Sequence, residues 1–194
     1  MNPIPLQYGT YYHIYNRGNN RENIFIEDRN YKYFMQLYAK YVEPVADTFA
    51  YCLMRNHFHF LTRIKDEKDL TGLLNPSKQF SNLFNAYART INQTYQRTGA
   101  LFQRPFGRIP VTSDAYFARL VVYIHQNPQK HGFVEDFRDW PYSSYQALMS
   151  TRPTRLKRDT VLDWFHGVKN VAEAHQQEMN DAEFAALTPE DFDT

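Results

Sequence analysis

The sequence predicts an α+β domain: a four-stranded antiparallel sheet with helices on one face, an additional helix set apart, and a C-terminal helical extension. Three observations predict it. Short β-branched and aromatic runs alternate with stretches whose apolar residues recur at helical spacing. The breaks between them are short and polar, and the 194 residues contain no repeat or low-complexity linker. Hydrophobic residues make up 43% of the chain and charged residues 22%, which excludes a disordered polypeptide.

The elements follow in order. Residues 10–15 read as a strand ending in the turn Asn16-Arg17-Gly18. Over residues 29–41, Phe34, Leu37, Tyr38 and Tyr41 mark the buried side of a first helix. Residues 47–54 and 57–64 are strand-like runs separated by Arg55-Asn56, a tight antiparallel hairpin. Asn75-Pro76 supplies a cap and a first-turn proline for a long second helix with the stripe Phe80, Leu83, Phe84, Tyr87 and Ile91. Its opposite side carries Lys78, Asn82, Asn85, Arg89 and Gln93. Residues 104–111 form a fourth strand that Pro105 and Pro110 confine to an edge. Ser113 or Asp114 starts a third helix expected to stop near Asn127, before Pro128. The order strand, helix, strand, strand, helix, strand, helix fits a ferredoxin-like arrangement with an extra helix. We divide the chain into a main domain over residues 1–150 and an extension with an acidic tail over residues 151–194.

The charges are unevenly placed. All 22 Lys and Arg lie at or before Lys169 together with 14 of the 21 acids, leaving that part at +8. No acid falls between Asp69 and Asp114, where Lys78, Arg89, Arg97, Arg104 and Arg108 supply five positive charges. Such a body attracts polyanions, and an acidic tail folded over it would screen it. The 15 Tyr and 15 Phe provide rings on which nucleobases stack, or a Tyr-rich core. The single cysteine, Cys52, forms no intramolecular disulfide, the first residues do not read as a signal peptide, and no run is long enough to span a bilayer, so a cytoplasmic location is expected.

Side chains alternate in a strand, so His57 and His59 point one way and Phe58 and Phe60 the other. Two adjacent imidazoles hold one divalent metal or are simply two satisfied polar groups; the pair alone does not decide. On the third helix, Phe117, Leu120, Val121 and Ile124 form the buried stripe. Tyr116, Arg119, Tyr123 and Asn127 run about a quarter turn away, at the rim, where the Tyr123 hydroxyl would be accessible. A phenol titrates near pH ~10 and is a poor nucleophile unless a cation is close. Paired with a metal, it can attack a phosphodiester and keep the bond energy in a phosphotyrosine.

Four ordered segments resemble the REP-associated tyrosine transposases, in the transposase-like group of single-tyrosine HUH endonucleases: residues 12–21 (YHIYNRGNNR), 51–59 (YCLMRNHFH), 123–128 (YIHQNP) and 142–145 (YSSY). The resemblance spans about residues 8–148. It implies an endonuclease and strand transferase that binds single-stranded DNA hairpins, cuts with Mg²⁺ or Mn²⁺, and stays attached through a 5′-phosphotyrosine. It implies metal ligation by His57 and His59 and attack by Tyr123. Asn127 stands where related insertion-sequence transposases place a glutamine ligand; the shorter arm leaves His125 or a water as alternatives. Asn16, Arg17, Asn19, Asn20 and Arg21 would contact DNA beside the metal strand, and Arg97, Arg104 and Arg108, with Lys78 and Arg89, would meet phosphates. The expected partner is hairpin DNA, met by a monomer or homodimer without a membrane. The alternatives are a hairpin-binding protein without turnover and an RNA-directed version.

Overall fold

The computed structural model describes residues 4–70, 72, 74–177, 179, 182, 183 and 187. Its sheet is built from β1 (Tyr11–Arg17), β2 (Ala46–Leu53), β3 (His57–Ile64) and β4 (Gly107–Pro110), in the order β2-β3-β1-β4 with every pairing antiparallel. The helices are α1 (Asp28–Tyr41), α2 (Pro76–Thr94), α3 (Asp114–Lys130), α4 (Tyr145–Met149), α5 (Arg158–Trp164) and α6 (Val168–Gln176). The element order is the expected one. The first strand runs two residues past its predicted end, because Asn16 and Arg17 still pair with Phe58 and His57.

Strand alternation sorts the core into two halves. Tyr12, Ile14, Phe58, Phe60 and Ile64 face α1 and α2, where they meet Phe34, Tyr38, Phe80, Leu83, Tyr87 and Ile91. The α2 start is fixed as predicted, with Asn75 Oδ1 accepting from the Lys78 N–H at 2.9 Å and Pro76 in the first turn. Tyr87 is fully buried and donates its hydroxyl to the Ile24 carbonyl at 2.7 Å, which satisfies the phenol inside this apolar layer.

The other face carries His13, Tyr15, His57, His59 and Leu61, and α3 lies across it. A bulge at Phe49 inserts one residue into β2, so Thr48 meets Tyr38 on the α1 side while Phe49 and Ala50 join the α3 side. Ser113 caps α3, its hydroxyl accepting from the Tyr116 N–H. The helix does not stop before Pro128. It continues to Lys130 with the proline inside, and the His131 N–H closes it on the Asn127 carbonyl at 3.0 Å.

The rim position expected for Tyr123 is also corrected. Every residue from Leu120 to Pro128 is buried, because α3 is sandwiched. The sheet covers one side. Trp140, Leu148, Val161 and Val171 from the following segments complete the same core, and Phe117 stacks on Trp164 at 3.9 Å. Residues 140–144 also seal the β2 edge: the Leu53 and Ser144 N–H groups donate to the Tyr142 and Tyr51 carbonyls, and Trp140 Nε1 donates to the Leu53 carbonyl. The acidic tail beyond Gln177 lies mostly outside the described residues, so its expected fold over the basic surface falls there as well. Among the described residues, no helix is long and apolar enough to cross a membrane.

At the opposite edge, Gly107 sits beneath the Tyr15 ring, and a Cβ there would come within 2.0 Å of Tyr15 Cζ. Gly107→Ala is therefore expected to destabilise the domain by about 1–3 kcal/mol by overpacking. Combining it with Tyr15→Ala should give a double variant more stable than the two single effects add up to, measured by urea unfolding in a double-mutant cycle.

Candidate functional site

The register Tyr15↔His59 and Arg17↔His57 brings β1 side chains against the imidazoles of β3 on the α3 face. His13 Nε2 lies 2.8 Å from His59 Nδ1. His57 Nδ1 lies 2.7 Å from Asn56 Oδ1, and His57 Nε2 lies 3.2 Å from Asn127 Oδ1. The Tyr123 ring stands edge-on to His59 with centroids 5.3 Å apart, and 5.9 Å from His13. The structure thus brings Tyr123, His57, His59 and Asn127 together within one chain. His13, His59, Tyr123 and Asn127 have no exposed surface.

Burial sets the electrostatics. It pushes the His13 and His57 imidazoles down to about 3, and the charge of His131 adds to the effect on His57. His59 is pushed well below the ordinary histidine range, again by burial first and then by His13 and His57. These rings are neutral at physiological pH, the form that ligates metals. A neutral imidazole has one N–H. When His57 donates Nδ1–H to Asn56, its Nε2 lone pair points at Asn127. When His59 donates Nδ1–H to His13, its Nε2 likewise becomes a donor atom for a metal. Asn56 and His13 are thus placed to fix both tautomers. Asn127 Nδ2 and His13 Nδ1 have no hydrogen-bond partner among the described residues.

His125, the alternative to Asn127, lies away from the histidine pair. It faces the other side of α3, with Nε2 2.7 Å from Ser144 Oγ and Nδ1 2.8 Å from His175 Nε2. That buried chain ties α3 to α4 and α6; it does not reach the histidine pair. Sequence reasoning missed two histidines that do. His13 is legible only once β1 is paired with β3. His131, exposed at the end of α3 with its ring 5.0 Å from His57, lies one turn beyond Asn127, a spacing that would have revealed it had Pro128 not been read as the helix end.

The predicted basic and polar contacts divide. Arg17 is buried beside His57, and burial, with Arg21 second, lowers its guanidinium pKa. Asn16 is on the opposite face, its Oδ1 accepting from the Arg17 N–H. Asn19 is half-buried, and Asn20 and Arg21 are exposed in a short 3-10 turn where both take positive φ. Lys78, Arg89 and Arg104 are exposed. Arg97 is corrected: the surrounding stretch has no acid, but Glu22 reaches it from the β1–α1 connection and forms an ion pair. Arg108 is partly buried, with its guanidinium over the Phe106 ring at 3.8 Å.

Among the described residues, no cluster of three His, Cys, Asp or Glu side chains is arranged to hold a metal. The donor set here is two imidazole nitrogens and an amide oxygen, so the further oxygens that Mg²⁺ and Mn²⁺ prefer would have to come from water and substrate.

The family model for IS200-like transposases matches residues 6–127. A Haemophilus influenzae protein named for the REP-associated tyrosine transposases is 30% identical over 134 residues, covering 63% of this chain and 76% of that protein. A solved structure of a REP-associated tyrosine transposase bound to a REP hairpin superposes with a TM-score of 0.62 at 17% identity, over 79% of this chain and 87% of the other.

The five buried histidines make stability pH-dependent. Their folded pKa values lie below the unfolded value of ~6.5: about 3 for His13 and His57, about 4 for His175, and well below the ordinary range for His59 and His125. Below pH ~6.5 the unfolded chain binds more protons than the folded one, so stability is full above that pH and falls as pH drops towards 3–4. Thermal melts in chelator from pH 7.5 to 4.5 should show a falling Tm, and His175→Gln should flatten the slope; a flat profile in the parent protein contradicts the neutral buried cluster.

Proposed function

The chain belongs to the IS200-like transposase family, among the REP-associated tyrosine transposases, and from that premise we propose that it cuts and rejoins single-stranded DNA hairpins through a covalent 5′-phosphotyrosine on Tyr123. The observation that carries the reading is the packing of the Tyr123 ring against His59, on the face where His57 meets Asn127. His57, His59 and Asn127 would hold Mg²⁺ or Mn²⁺. The local geometry supports them: His57 meets an amide oxygen at each ring nitrogen, and a neutral imidazole has one proton for the two. A divalent cation would satisfy the Nε2 and Oδ1 atoms together.

When bound, the cation polarises the scissile phosphate and lowers the cost of a phenolate nearby. The Tyr123 oxygen attacks phosphorus, the 3′ oxygen leaves and takes up a proton, and one phosphoester replaces another. A second DNA 3′-hydroxyl then reverses the exchange, so no ATP is needed. Arg17, beside His57, would hold a phosphate oxygen at the same end of the sheet. The placement of phenol and imidazoles in one chain supports action within a single subunit. The single cysteine, buried and unpaired, suits a reducing cytoplasm.

Tyr123→Phe should abolish the adduct formed on a hairpin oligonucleotide while leaving hairpin binding intact, read by denaturing gel and by fluorescence anisotropy. A protein that only binds hairpins would give no adduct in the parent chain either. His57→Ala with His59→Ala should remove metal-dependent cleavage.

His13→Ala should weaken Mn²⁺ binding about 10–100-fold, measured by electron paramagnetic resonance titration without DNA. His13→Gln, whose carbonyl oxygen can still accept from His59 Nδ1–H, should restore most of it. Equal affinity in all three proteins would contradict the orienting role of His13.

A further inference from the structure

Of the four segments that resemble the tyrosine transposases, residues 142–145 take no part in the site described above. They are tied instead to β2 and to the back of α3. Ser144 exchanges two hydrogen bonds with Tyr51: its N–H donates to the Tyr51 carbonyl at 2.9 Å, and its Oγ accepts from the Tyr51 N–H at 2.8 Å. Ser144 Oγ also lies 2.7 Å from His125 Nε2, His125 Nδ1 lies 2.8 Å from His175 Nε2, and His175 Nδ1 lies 2.7 Å from the Val171 carbonyl. Ser144 and His125 have no exposed surface.

The ends of this series assign the protons within it. The Val171 carbonyl can only accept, so a neutral His175 carries its proton on Nδ1 and offers a lone pair at Nε2. His125 must then carry its proton on Nδ1, which leaves its Nε2 to accept. The Ser144 hydroxyl donates there, and its oxygen accepts in turn from the Tyr51 N–H. Every member is satisfied, in one direction from β2 to α6, and no donor is spare.

The series also closes a circuit around the candidate site. Tyr51 precedes Cys52, the β2 partner of His59. Tyr123 and His125 are two residues apart on α3, about 200° around the helix axis, so the ring that meets His59 and the ring that meets Ser144 leave opposite sides of one helix. The apolar stripe under α3 does not fix its position as closely. Burial is non-directional, and Phe117, Leu120, Val121 and Ile124 would stay covered after a slide of a fraction of a turn, whereas the Ser144–His125 and His125–His175 hydrogen bonds would not survive it.

We propose that Ser144 and His125 are positioning residues that set where the Tyr123 oxygen stands relative to His59 and a scissile phosphate, with His175 holding His125 in the required tautomer. The proposal rests on the DNA-cleaving reading above and adds to it the part played by residues 142–145. A series with a single arrangement gives α3 one place to come to rest when it closes over bound DNA. The effect is on the rate of attack rather than on affinity, because a misplacement of about 1 Å at the reacting atoms costs on the order of 100-fold.

The test times adduct formation on a hairpin oligonucleotide with Mn²⁺ at saturating DNA, and reads hairpin affinity by anisotropy. Ser144→Ala and His125→Ala should each slow adduct formation about 10–100-fold while affinity stays within about twofold. His125→Gln, whose amide offers an acceptor to Ser144 and a donor to His175, should recover most of the rate. Val122→Ala, which removes apolar packing from the outer side of the same helix, should lower the Tm and leave the rate within about twofold. In the parent protein, without DNA or metal, side-chain nitrogen NMR should show His125 and His175 protonated on Nδ1. A His125 protonated on Nε2, a rate unchanged in both alanine variants, or a Val122→Ala protein as slow as they are overturns the proposal. A parent chain that forms no adduct on any hairpin removes the DNA-cleaving reading itself, and the positioning role with it.

Discussion

The alternation of side chains along β3, locked by its pairing with β1, is the constraint on which the rest of the molecule depends. It places Phe58 and Phe60 in the α1–α2 core and His57 and His59 on the face beneath α3. A slip of one residue would exchange the two sets, putting imidazoles among phenylalanines and phenylalanines against Tyr123. The apolar core therefore enforces the geometry of the polar site. Each fully buried Phe that would be exposed or misplaced by a slip costs about 2–3 kcal/mol of burial, so the register is strongly held. Asn56 follows from the same register: it is in the hairpin connection, one residue before β3, within reach of the first imidazole.

Much of this was legible in the sequence, for identifiable reasons. The α2 stripe and its Asn75-Pro76 start are local features, read from spacing and capping chemistry, and both appear as expected. The edge position of β4 agrees with Pro110 in the strand and Pro105 just before it. The convergence of His57, His59, Tyr123 and Asn127 rested on the family resemblance, because periodicity alone made Tyr123 a boundary residue. The failures share a cause: each depended on a partner distant in sequence. The burial of Tyr123 needs the helices after Trp140, the neutralisation of Arg97 needs Glu22, and the role of His13 needs the β1–β3 register. Pro128 misled differently. The proline rule describes the residue before it as biased away from helix, but Asn127 is buried between the sheet and the later segments, and that packing overrides the local preference.

Burial of the tyrosine creates the tension that shapes the chemistry. A dry site protects a phosphotyrosine and strengthens any charge interaction made there, but it also keeps a phosphodiester out. With Tyr123 as the proposed nucleophile, DNA would reach it only with α3 or the layer covering it displaced. That layer is not held by apolar contacts alone. His125, between Ser144 Oγ and His175 Nε2, and Gln126, donating to the His175 and Gln177 carbonyls, tie the back of α3 to α4 and α6 through a few directional hydrogen bonds. Such bonds contribute about 1 kcal/mol each, far less than the fused aromatic core on the α2 side. The two faces of the sheet thus differ in character. One is a rigid phenylalanine platform that positions the strands. The other joins an aliphatic and aromatic seam to a chain of hydrogen-bonded polar groups, and the tyrosine sits on that side, where an opening would leave the β1–β3 pairing of the histidines intact.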